Sequence, residues 1–100
     1  MGINVEWRDE SGKVIEQISD SNSLLYQALA AAQLEATQFL RFIDFYGDTT
    51  FNQLQLSGLL AEFSALAKSC AGERARHLLS ITLLLVHASS THTYVTFVGD

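Results

Sequence analysis

The chain has 100 residues, 48 % of them hydrophobic and 17 % charged, with eleven acidic against six basic residues and a net charge of −5. That length and apolar content suffice for one core, so residues 1–100 read as a single domain, and disorder, collagen-like repeats and a two-domain enzyme are excluded. The acidic balance argues against nucleic acid as a partner, because phosphate binding leans on clustered Lys and Arg. A lone cysteine, Cys70, offers no internal disulfide, and no basic or apolar leader opens the chain, so the expected location is cytoplasmic. The most apolar stretch, Leu78 to Ala88, is about half the roughly 20 residues a membrane-spanning helix needs, so no membrane association is expected.

Ile3, Val5 and Trp7 alternate with polar residues, as a half-buried strand requires, and Asp9-Glu10-Ser11-Gly12 supplies a turn into a return strand over Lys13 to Ile18. Ser19-Asp20-Ser21-Asn22-Ser23 is a cluster of turn and cap residues, and Leu24, Leu25, Ala28, Leu29 and Ala32 then form a helical stripe. Phe39-Leu40-Arg41-Phe42-Ile43 is apolar on both faces and reads as a buried strand. With the strand-like Thr49 to Gln53, it would form a second hairpin around Gly47.

Leu56, Leu59, Leu60, Phe63, Leu66, Ala67 and Cys70 step by three and four, which predicts a helix with Gly72 as its stop. Glu73 to Ser89 reads as a further helix with Ala75, Leu78, Leu79, Thr82, Leu85 and Val86 on its stripe, and Thr93 to Val98 as a closing strand. The order is roughly ββαββααβ. An α+β fold follows, with a small antiparallel sheet, helices packed on one face and the last strand inserted beside an earlier one.

The candidate ligand-binding residues are Arg41, Asp44, Tyr46, Asp48 and Asn52, gathered around the glycine turn. Asp44 and Asp48 could hold a cation or divide acid and base roles, but Asp and Asn beside a glycine ordinarily close a turn by accepting from backbone amides. The spacing does not fit a calcium loop. Arg41, set among apolar residues, is expected to pair with Asp44, Asp48 or Asp100, because an unpaired buried guanidinium is costly. His77 and His87 lie about 15 Å apart along one helix and cannot share an ion, and His87 with His92 lacks a third ligand, so no metal site is expected. No nucleophile elbow, phosphate loop or zinc-protease motif is present, so neither a catalytic residue nor a cofactor is assigned.

The segment Ile43-Asp44-Phe45-Tyr46-Gly47-Asp48-Thr49-Thr50-Phe51-Asn52, together with the closing Gly99-Asp100, is similar to the signature of a group of short uncharacterised bacterial proteins. Their pattern runs Ile-Asp-Pro-Tyr-Gly-Asp-Thr-x-Phe-Asn, and Phe45 stands where they carry proline. The resemblance implies a shared fold rather than an activity. A second echo, Phe45-Tyr46-Gly47-Asp48 in Phe97-Val98-Gly99-Asp100, is too short to mark a repeat.

From His77 to Gly99 the sequence holds no Asp, Glu, Lys or Arg, whereas ordinary surface helices carry charge. Two helices cannot both be wrapped on all sides in so short a chain, so an exposed apolar patch and a homodimer are expected. The candidate interface residues are Leu59, Phe63, Ile81, Leu84 and Val86. The functional expectation is a non-catalytic protein-protein interaction module that self-associates and binds or neutralises a partner, in the manner of toxin immunity proteins of similar size and charge. The alternative is a small-ligand-binding protein or enzyme with a pocket near Asp44, Tyr46 and Asp48, which could also use His92.

Overall fold

A computed structural model describes residues 2–89 and 92–100. The hairpin forms as its alternation predicts: β1 (Ile3–Arg8) pairs antiparallel with β2 (Val14–Ile18), with an irregularity in register at Trp7 and Arg8. Helix α1 (Leu24–Ala31) follows, and irregular chain leads to β3 (Asp48–Asn52). Two long helices, α2 (Gln53–Lys68) and α3 (Gly72–Ala88), precede β4 (Tyr94–Gly99). The sheet order is β2-β1-β4-β3, every neighbour antiparallel, so the last strand sits between the first and the third. This is the expected α+β architecture.

Alternation decides which side of the sheet meets the helices. Ile3, Val5, Phe51, Val95 and Phe97 point inward and are buried, while Asn4, Glu6, Thr50, Tyr94 and Thr96 occupy the opposite parity on the other face, where Thr96 is nonetheless buried. Phe97 anchors the core, stacked on Phe63 of α2 at 5.7 Å and meeting Phe51 edge-on. Helix α3 lies between α1 and α2 and also rests on β1 and β4. Leu78, Ile81, Leu84, Leu85 and Ala88 are its buried side.

Two local expectations are corrected. Phe39 to Ile43 is not a strand, so the second hairpin does not exist and β3 pairs with β4. A 3-10 turn, Leu40–Phe42, occupies the segment. The amides of Gln38, Phe39 and Leu40, which a strand would have given to a neighbour, donate instead to the Glu62 carboxylate of α2 at 2.6 to 3.0 Å. Phe39 closes the contact from its side, because at Gly58 of α2 an added Cβ would stand 2.3 Å from the Phe39 ring. Gly72, expected as a stop for α2, opens α3 instead, with a left-handed φ of 61° that glycine adopts without strain.

Candidate functional site

The glycine turn comes first because the sequence concentrates polar groups there. Asp44 Oδ1 accepts from the Tyr46 amide at 2.8 Å, and the Asp44 amide donates to Thr49 Oγ1 at 2.8 Å, so this aspartate closes its own turn. Gly47 packs closely on this side chain: a Cβ there would lie 2.8 Å from Asp44 Oδ2, which would have to shift. Its carbonyl accepts from the Gly99 amide at 2.8 Å, and at Gly99 a Cβ would fall 2.4 Å from the Phe45 carbonyl oxygen. The two Gly-Asp segments that echo each other in sequence therefore lie side by side. Asn52 caps α2, accepting from the Gln55 amide while the Gln55 side chain accepts from the Asn52 amide.

The remaining members of the predicted set, Arg41, Tyr46 and Asp48, are all exposed. Asp48 is exposed at the start of β3, and Tyr46 is exposed beside Tyr26, whose phenol it holds above the ordinary range through a hydrogen bond. Arg41 corrects the expected ion pair. It is exposed, lies over the neighbouring Phe42 ring at 4.8 Å, and among the described residues has no carboxylate partner. A 3-10 turn carries it outward, so its charge stays in water and needs no buried partner.

Sequence reasoning missed the part played by Asp20. Asp20, with a side chain 1 % exposed, accepts from the amides of Ile3 at 2.9 Å, Leu25 at 2.7 Å and Tyr26 at 3.0 Å, while its own amide donates to Asn4 Oδ1. It thus caps α1 and ties the hairpin to it across Asn22 and Ser23, both in left-handed backbone. His77 of α3 brings Nε2 within 3.2 Å of Asp20 Oδ1 but out of hydrogen-bond alignment, which makes the contact electrostatic when the ring is protonated. The available signal was an aspartate in a cap cluster, but its partners are spread from Ile3 to His77. Three amides from two elements converge on Asp20, which is the geometry of a structural node. Cys70 is half-buried against the core, and among the described residues no group of three or more His, Cys, Asp or Glu is placed to hold a metal ion.

Two surface grooves lie near the β1–β2 turn, and neither is lined by Asp44, Tyr46 or Asp48. One groove of about 570 Å³ is lined by Glu10, Asn52, Gln53, Leu54, His92, Thr93 and Tyr94. A neighbour of about 360 Å³ shares Glu10 and Tyr94 and runs beneath the β1–β2 turn. Of the predicted ligand residues only Asn52 reaches either groove, and its side chain is already engaged as a cap.

The outer side of α3 is the other unusual surface. Leu79, Leu83 and Val86 are 53, 62 and 45 % exposed and follow one another by four and three residues, which places them on one stripe. Around them stand Arg76, Ser80 and His87, and Ser80 bonds back to the Arg76 carbonyl. The exposed side of α2 differs, being mainly Ser57, Ala61, Ala65 and Lys68 beyond Leu54 at its start. Of the predicted interface residues, Leu59, Phe63, Ile81 and Leu84 are corrected to core positions, at most 2 % exposed, where packing already consumes their surface. Val86 alone reaches the outside. No helix among the described residues is long and apolar enough to cross a membrane. Comparison with protein-family models, curated proteins and solved structures gives no match.

Proposed function

We propose that the chain is a non-catalytic protein-protein interaction module that works through the outer face of α3, self-associates, and binds or neutralises a protein partner in the cytoplasm. The observation that carries this reading is the exposed stripe Leu79, Leu83 and Val86, inside a segment without a formal charge from His77 to Gly99. A helix face usually keeps charge toward water, and apolar side chains left together on a surface lower their free energy by meeting another surface. The acidic remainder of the molecule would speed encounter with a basic partner, because opposite potentials steer association.

Affinity capture from lysate with two baits tests the reading: the unaltered chain and Leu83→Glu, the latter checked for fold by circular dichroism. A stoichiometric protein, whether a tagged second copy or another chain, held by the first bait and lost by the second supports it. Equal recovery by both, or recovery of a small molecule alone, would move the function to the groove near Glu10 and His92.

A further inference from the structure

Resting on that interaction reading, we infer that the occupant of the α3 face is α3 of a second copy, packed antiparallel about a two-fold axis near Leu83. Three observations carry it. The exposed positions Arg76, Leu79, Leu83 and Val86 are spaced three, four and three, which is the alternation that lets one helix set its side chains between those of another at a shallow angle. Leu79 to Val86 spans about 10 Å of helix, so an antiparallel partner puts Leu79 of one copy beside Val86 of the other and Leu83 near its own counterpart. A two-fold contact brings every residue near a copied neighbour, and in a chain of net charge −5 this stretch of α3 surface can meet itself without like-charge repulsion.

Arg76 sets the direction. It is exposed, sits one heptad before Leu83 on the same face, and among the described residues has no ion-pair partner, while its neighbour Arg74 is engaged by a hydrogen bond to the Gln27 side chain of α1. Within its own helix Arg76 lies in the N-terminal half. Antiparallel packing carries it to the negative end of the other copy's α3, whereas parallel packing would place it against another Arg76. Two turns of helix bury well under the roughly 800 Å² per partner of a standard interface, so the dimer exchanges readily.

Sedimentation velocity on the purified full chain over a concentration series is the test, joined to disulfide trapping in a Cys70→Ser background. The expected result is a reversible monomer-dimer equilibrium that Leu83→Glu weakens by at least about tenfold, since each copy loses an apolar contact and gains a like charge at the axis. Leu83→Cys chains should link to themselves. Leu79→Cys mixed with Val86→Cys should link to each other faster than either links to itself. A folded chain that stays monomeric at every concentration overturns the inference, as does preferential self-linking of Leu79→Cys and of Val86→Cys, the signature of parallel helices. Should the monomer still capture a different protein through Leu83, the interaction reading survives without the dimer. Should it capture none, both fall.

Discussion

Asp20 and Asp48 are both aspartates where strand meets irregular chain, yet they do opposite things. Asp20 is enclosed and accepts from three backbone amides drawn from β1 and α1, while Asp48 is exposed at the head of β3. The residue flagged by its polar neighbours in sequence is thus the less committed of the two. A carboxylate's importance here follows from how many amides depend on it, and that number is fixed by folding.

Substitution can break this contrast. Asp20→Ala is expected to have the largest effect, about 3–5 kcal/mol, because it strips a charged acceptor from three enclosed amides; in a domain of this size that drops the melting temperature by well over 10 °C in a thermal scan. Gly99→Ala comes next at about 1–3 kcal/mol in urea titration, since its Cβ would drive the Phe45 carbonyl out of the turn. Asp44→Ala should cost about 1 kcal/mol by freeing the Tyr46 amide, and Asp48→Asn should fall within about 0.5 kcal/mol of the parent. A large loss at Asp48 would erase the distinction between the two regions.

The smallest expected effect is at Asp9, an exposed carboxylate held below its usual range first by the Ser11 hydroxyl, then by the Lys13 and Ser11 amides. A lowered folded value means its contribution is present above the unfolded value and fades as pH falls through the folded one. Carbon-detected titration should show the Asp9 midpoint rising in Ser11→Ala.

Much of the fold was legible because its pattern had contrast. The alternation of Ile3, Val5 and Trp7 points to β1 and its inner face, and the spacing of Leu56, Leu59 and Phe63 points to α2, although Leu59 and Phe63, expected at an interface, are core residues. Phe39 to Ile43 misled because composition suits a strand, whereas the deciding partner, Glu62, lies more than twenty residues along the chain. In α3 the helix was clear but its rotation was not. Between Leu78 and Val86 only Ser80 and Thr82 are polar, so apolar residues surround the helix and the pattern has no phase. Spacing alone therefore puts Leu79 on the inner stripe and Ile81 and Leu84 at the interface, the reverse of what the structure shows. Asp20 stayed hidden for a related reason: a cap cluster announces itself locally, but Ile3 and His77 reach it only through tertiary structure.

The central place of β4 has a consequence for synthesis. Its neighbours β1 and β3 pair with it and not with each other, so the sheet that α2 and α3 cover cannot close until residues 94–99 have left the ribosome. Until then the inner faces of both helices lack their cover, and the nascent chain displays Phe63, Ile81 and Leu85 to whatever holds unfinished polypeptides. Ribosomes stalled before and after β4 emerges should differ sharply in protease resistance, with protection arriving as one late event.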